Sequence, residues 1–278
     1  MIDKNGPFVV DKDETTMKYG YYYKAKFKVP FSKDERFIRV WIPGDYDFND
    51  QTKRFPVIYF SDGQNLVNKY LTAFDEWYLD EVWNNLWQKD GISFIAVGID
   101  SPSDVKQRAN ELNPPFVPNK HKWEGTPVGD KYVDFIADVL KPLIDKLFFT
   151  KSEKAYTAIA GSSMGGIMAF YGAVRRSDIF GFSLDFSPAF LLYTKKKWLC
   201  LLNEFNIIPN SSRFFFYVGG KGEEKLLVKN TFLTYDYLNK LNFDDKNLAL
   251  IYDTRMPHHE SAWCKYLADG ISFWLNNK

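Results

Sequence analysis

Six short apolar runs, separated by longer stretches of helical pattern, constrain the fold of this chain more than any other feature. They read FPVIYF (55–60), ISFIAVGI (92–99), AYTAIA (155–160), GFSLDF (181–186), RFFFYV (213–218) and NLALIY (247–252). Runs of this length without polar alternation suit strands covered on both faces, the usual state of a parallel sheet. Residues 74–88, 131–149, 164–175, 195–204, 223–241 and 261–275 carry helical spacing. Strand–helix alternation at this interval is the pattern of βαβ units with right-handed crossovers. Ahead of these units, residues 19–29 and 36–42 are rich in β-formers, the second closed by Pro43-Gly44, and read as an antiparallel pair. The expected class is α/β: a mostly parallel central sheet with an N-terminal antiparallel pair and helices on both faces. No repeat, low-complexity tract or Gly/Ser linker interrupts the 278 residues, so residues 1–278 read as one domain. Residues 101–130, with Pro102, Pro114, Pro115, Pro118 and Pro127, are longer than an ordinary strand–helix connection and are expected to form a lid-like loop insertion.

Charge and cysteine usage narrow the functional classes. With 36 Lys+Arg against 35 Asp+Glu, the chain lacks the basic footprint of a nucleic-acid binder. Its longest clean apolar run, 92–99, falls far short of the ~20 residues of a membrane span. Charges at Asp3, Lys4, Asp11, Lys12, Asp13 and Glu14 interrupt any secretory leader. Cys200 and Cys264 stand in no ligand spacing and read as free, buried thiols suited to a reducing compartment. The expectation is a cytoplasmic protein without membrane or nucleic-acid partner, metal or cofactor, with homodimer formation left open. Aromatic residues make up 18% of the chain, which calls for a large core or an aromatic-lined groove. Trp83 and Trp87, four apart on one helical stretch, read as core.

One motif carries chemistry. Gly161-Ser162-Ser163-Met164-Gly165 follows the run AYTAIA and precedes the helical pattern IMAFYGAV. G-x-S-x-G between a strand and a helix describes a sharp turn on which the middle serine is raised, with glycines relieving the crowding on either side. The helix N-terminus behind it favours developing negative charge. In such a site the order is serine, then acid, then histidine. His258 and His259 lie beyond the last apolar run, whereas His121 precedes the serine and reads as a lid residue. A carboxylate after RFFFYV would orient the imidazole: Glu223 is the first choice, Glu224 the second, and Asp253 a weaker one. Oxyanion-hole donors are expected from the backbone N–H groups of Met164 and of Gln64, the latter in the Ser61-Asp62-Gly63-Gln64-Asn65 loop. Trp123 and Arg108, both in the 101–130 insertion, are candidate substrate contacts, although Arg108 and Glu111 are three apart and could simply pair with each other.

PVIYFSDGQNL, AVGID, AIAGSSMGG, FYVGGKGEE and HHESAW together resemble the putative esterase (esterase D-type) branch of the α/β-hydrolases, over residues 36–275. That branch includes enterochelin-esterase-like enzymes, feruloyl and other carbohydrate esterases, S-formylglutathione hydrolase and mycolyltransferases. The DGQN loop and the H-x-E-x-x-W block are the specific pieces, since the serine turn is common to all α/β-hydrolases. The resemblance implies an α/β-hydrolase fold and selects His258 over His259. It places the acid within VGGKGEE, where an extra glycine leaves Glu223 and Glu224 both open, and some members work with a Ser–His pair alone. It implies a serine carboxylic-ester hydrolase that cleaves small or sugar- or phenol-linked acyl esters through an acyl-enzyme. The alternatives are an acyltransferase using the same Ser–His site, or a catalytically silent module binding carbohydrate or siderophore.

Overall fold

The continuous apolar runs prove to hide a period of two. In the computed structural model, which describes residues 7–10, 17–72, 75–116, 125–208 and 211–276, successive apolar residues of several runs enter two different hydrophobic clusters. Val57 and Tyr59 face one cluster while Ile58 and Phe60 face the other; Phe214 and Phe216 divide from Phe215 and Tyr217 in the same way. Side chains alternate across a strand, so a sheet covered on both sides demands apolar residues at every position.

The strands among the described residues are β1 (Val9–Val10), β2 (Tyr21–Lys28), β3 (Glu35–Ile42), β4 (Val57–Ser61), β5 (Ile95–Ile99), β6 (Thr157–Ser162), β7 (Phe182–Phe186), β8 (Arg213–Gly219) and β9 (Leu248–Asp253). They form one sheet in the order β1-β2-β3-β5-β4-β6-β7-β8-β9. Pairing is antiparallel from β1 to β5 and parallel from β5 to β9. The expected antiparallel pair is β2–β3, with the short β1 outside it. The chain passes from β4 to β5 on one side and then to β6 on the other. This reversal falls between β4 and β6, and the carboxyl ends of strands at such a switch are the usual place for a ligand in an open α/β sheet.

The helices are α1 (Leu79–Asp90), α2 (Val105–Glu111), α3 (Gly129–Phe135), α4 (Lys141–Leu147), α5 (Met164–Arg175), α6 (Lys195–Glu204), α7 (Lys225–Lys240) and α8 (Glu260–Asn276), with α3 and α4 joined by a π-helical segment, Ile136–Leu140. Helices α1 and α8 supply one hydrophobic cluster; α3 to α7 supply the other.

Three expectations need correction. The 101–130 insertion is not a loop throughout, because it contains α2, opened by an Asp104 side chain that accepts from the Gln107 N–H at 2.7 Å. Trp87 is 47% exposed rather than core, while Trp83 is buried. Trp77 precedes α1 and packs against Phe60, Phe186 and Trp263. Of the cysteines, both free, Cys200 is exposed. No described helix is long and apolar enough to cross a membrane.

Candidate active site

Ser163 sits at the β6–α5 turn with φ 56 and ψ −115, a left-handed backbone that a non-glycine residue adopts only where its surroundings hold it. Its N–H donates to the Phe186 carbonyl at 2.9 Å, and its carbonyl accepts from Ala189 N–H at 2.9 Å. The glycines of the motif have a steric reason: a Cβ on Gly161 would lie 2.6 Å from the backbone of Gly165. A Cβ on Gly165 would lie 3.1 Å from Cβ of Ser61, so the end of β4 rests on the first turn of α5.

The candidate acid and base lie on the loops after β8 and β9. The loops after β8 and β9 are joined by Gly220 and Lys221 N–H groups donating to the Met256 carbonyl at 3.2 and 3.0 Å. On the second loop, His258 Nδ1 lies 2.5 Å from Oε2 of Glu224. Glu224 is fully buried, and its Oε1 accepts from Gly219 N–H at 2.8 Å and from the Ser187 hydroxyl. An ionised carboxylate only accepts, so Nδ1 carries the proton and Nε2 presents a lone pair. The Trp263 ring meets His258 edge to face, with centroids 5.1 Å apart.

This geometry corrects the choice of acid. Glu223 is exposed and Glu224 faces the imidazole. Asp253 is committed elsewhere: hydrogen bonds from Arg255 and Tyr266 hold its carboxyl well below the usual carboxylate range, and Lys265 adds to them. His259 turns its Nδ1 to Ser261 at 3.0 Å. Among the described residues no hydrogen bond joins the Ser163 hydroxyl to Nε2 of His258; such contacts are often long until substrate is seated.

Asp62, with φ 57, turns the chain after β4 into a short 3₁₀ turn, Gly63–Asn65. Gly63 must be small, because a Cβ there would lie 2.6 Å from the Gly98 backbone. The amides of Gln64 and Met164 both belong to first turns, whose N–H groups have no intrahelical acceptor. The Gln64 side chain accepts from Ser101 N–H at 3.1 Å, tying the loop to the end of β5.

Arg108, expected to face substrate or to pair with Glu111, instead grips Asp62 through Nε and Nη2, both at 2.7 Å. Burial would push the Asp62 carboxyl up, but Arg108 outweighs it and holds the group below its ordinary value. Glu111 pairs with Arg36 at 2.5 Å. Tyr132 donates to the Ser61 hydroxyl at 3.1 Å, a further brace for the same loop. Trp123 and His121 lie outside the described residues.

Sequence reasoning missed Ser187, which bonds the acid, and Asp62, which shapes the oxyanion loop. The positions were visible as a Ser-Pro after a strand and an Asp-Gly turn, but their partners are 37 and 46 residues away. No group of three or more His, Cys, Asp or Glu among the described residues could hold a metal. A raised serine, an imidazole with a carboxylate on Nδ1 and two first-turn amides are groups of the kind nucleophilic acyl transfer needs.

The family described as putative esterase matches residues 32–212. Among solved structures, a siderophore hydrolase EstA from Aspergillus nidulans superposes with a TM-score of 0.70 at 20% identity, covering 91% of this chain and 94% of the other. A ferulic acid esterase gives 0.68 at 18% identity, covering 94% and 100%. The enterobactin esterase FES from Shigella flexneri, determined with 2,3-dihydroxy-N-benzoyl-glycine, gives 0.71 at 17% identity; the match covers 95% of this chain and 62% of that longer protein. Likeness at these identities establishes a shared fold.

Proposed function

From the premise that this chain belongs to the putative esterase family and is a carboxylic-ester hydrolase, we propose that it works as a serine enzyme with Ser163, His258 and Glu224 as its reacting triad. Ser163 Oγ attacks the ester carbonyl carbon as His258 Nε2 accepts its proton, and the Met164 and Gln64 N–H groups receive the oxyanion. Glu224 stabilises the imidazolium that forms. His258 returns the proton to the leaving alcohol, giving an acyl-serine. Water then attacks this acyl group with His258 again as base, releasing the acid and restoring the hydroxyl. Each oxyanion donor is worth ~2.7–4 kcal/mol in such sites.

The observation that carries this reading is the buried Glu224 carboxylate 2.5 Å from His258 Nδ1, on the loops after β8 and β9, at the same end of the sheet as the Ser163 turn after β6. A buried carboxylate on Nδ1 fixes the tautomer that leaves Nε2 free to act as a base. For substrate, we infer small or phenol- or sugar-linked acyl esters, in keeping with a ferulic acid esterase and a siderophore hydrolase among the neighbours of like fold.

The test is a panel of p-nitrophenyl, feruloyl, acetyl-sugar and siderophore-lactone esters with wild type and Ser163→Ala, together with intact-mass detection of a fluorophosphonate adduct. The expected result is turnover of aryl esters that disappears in the variant, with an adduct only on wild type. Full turnover by Ser163→Ala would move the chemistry elsewhere. An unlabelled, inactive wild type would point to a binding module, and product partition to added alcohols would identify an acyltransferase.

A further inference from the structure

One segment, 186–189, touches both halves of the candidate machinery. The Phe186 carbonyl and the Ala189 N–H clamp the Ser163 backbone, each at 2.9 Å. Between them Ser187, wholly buried, donates its hydroxyl proton to Glu224 Oε1 and accepts from Trp263 Nε1 at 2.9 Å. Trp263 in turn lies against the His258 ring. Ser187 N–H is tied to the Tyr217 carbonyl at 2.7 Å, so both the backbone and the hydroxyl are held from several sides.

The backbone at Ser187 is costly. Its φ is 46, in the left-handed region, although the residue is not glycine and precedes Pro188, whose ring favours extended backbone before it. Strain of this kind persists where the surroundings over-determine it and gathers at working sites. A plain helix-approach turn would be better made by glycine, which has no hydroxyl to give. The carboxylate of Glu224 has two oxygens to fix: Gly219 N–H and Ser187 Oγ hold Oε1, and this leaves Oε2 aimed at Nδ1.

We propose that Ser187 is a positioning residue that acts through Glu224, locking the carboxylate rotamer and registering the acid–histidine pair against the clamped Ser163 turn. The proposal rests on the serine-triad reading above and deepens it. Without the hydroxyl, Glu224 keeps one donor on Oε1 and can rotate off the imidazole. His258 then loses the partner that fixes its tautomer and favours its protonated form.

The experiment compares Ser187→Ala and Ser187→Gly with wild type. Glycine accepts φ 46 without strain, so it guards against a misfolded alanine variant. The expected result in both is a kcat lowered roughly 10- to 100-fold, the usual effect of removing a partner one bond away from the reacting groups, with KM little changed. The acid limb of the kcat/KM profile moves to lower pH, as a less stabilised imidazolium requires. The strongly deshielded proton of the His258–Glu224 hydrogen bond, read by NMR without substrate, weakens or disappears. In a Glu224→Gln background, Ser187→Gly adds little further loss, because the two act as a unit. Wild-type kcat in Ser187→Gly overturns the proposal. So does a loss with the pH limb and the deshielded proton unmoved, or one that multiplies fully with Glu224→Gln. Failure of the triad reading is separately visible: fluorophosphonate would then leave Ser163 of wild type unlabelled, whatever the NMR signal does.

Discussion

Glu223 and Glu224 carry the same carboxylate, and the difference between them is the phase of one turn. Gly222, at φ 64, opens the 3₁₀ turn Gly222–Glu224, in which neighbouring side chains diverge by about a third of a revolution. Only one of two adjacent glutamates can therefore enter the interior, and the turn delivers Glu224. Replacing it as Glu224→Gln keeps the shape but lets the amide offer either oxygen or nitrogen to Nδ1. A carboxamide in this role lowers kcat by ~10⁴-fold in the best-studied triad, through the wrong histidine tautomer. A fall of that order is expected here, whereas Glu223→Gln, on an exposed side chain, should retain wild-type kinetics; steady-state rates of the two variants decide. This choice was not legible in the sequence, because VGGKGEE shows two acids opening a helix and says nothing of turn phase. The serine and histidine were legible. Gly161 and Gly165 surround Ser163 for a steric reason that the motif itself encodes, and His258 stands at a fixed step from Trp263.

At the scale of elements, the strands are readable because burial on both faces removes polar residues from them, and α5 and α6 match their expected bounds for similar reasons of periodicity. The 101–130 insertion is harder. Helix α2 has seven residues, too few for a periodic signal, and prolines surround it. Its role is also long-range: it carries Arg108 to Asp62, 46 residues away, and so braces the loop that holds the Gln64 amide. This placement predicts a kinetic signature. Arg108→Lys retains the charge but loses the planar fork that grips both carboxylate oxygens. If the arginine positions the oxyanion loop, kcat should fall, by less than the roughly 10²-fold of an outright lost donor, while KM holds. A rise in KM with kcat unchanged would instead make Arg108 a substrate contact, as the sequence first suggested.

At the scale of the whole molecule the candidate groups gather at the carboxyl ends of the strands, and one carboxylate, Asp185, is wholly buried within the sheet itself. It lies on β7 beside Gly161, with Phe182, Leu184 and Phe186 turned to the opposite face. It is completely buried; Ser183 donates to Oδ2 at 2.7 Å, and Oδ1 has no partner among the described residues. Burial pushes its carboxyl well above the ordinary value, further than the Ser183 hydrogen bond can pull it back. The native state therefore keeps a proton that the unfolded chain releases near pH ~3.9. Where the folded state binds more protons, stability falls with rising pH, by about 1.4 kcal/mol for each pH unit between the two values. The contribution is fully present below the unfolded value and is lost as pH climbs toward the folded one. Asp185→Asn is uncharged at every pH and of the same shape, so it should remove this slope. Urea unfolding is expected to give similar midpoints for both proteins near about pH 4 and a more stable variant near about pH 8, with the gap widening between. Parallel curves across that range would mean that Asp185 is ionised in the fold and paired with a group not seen here, and the interior would then hold a charge that its surroundings give no reason to tolerate.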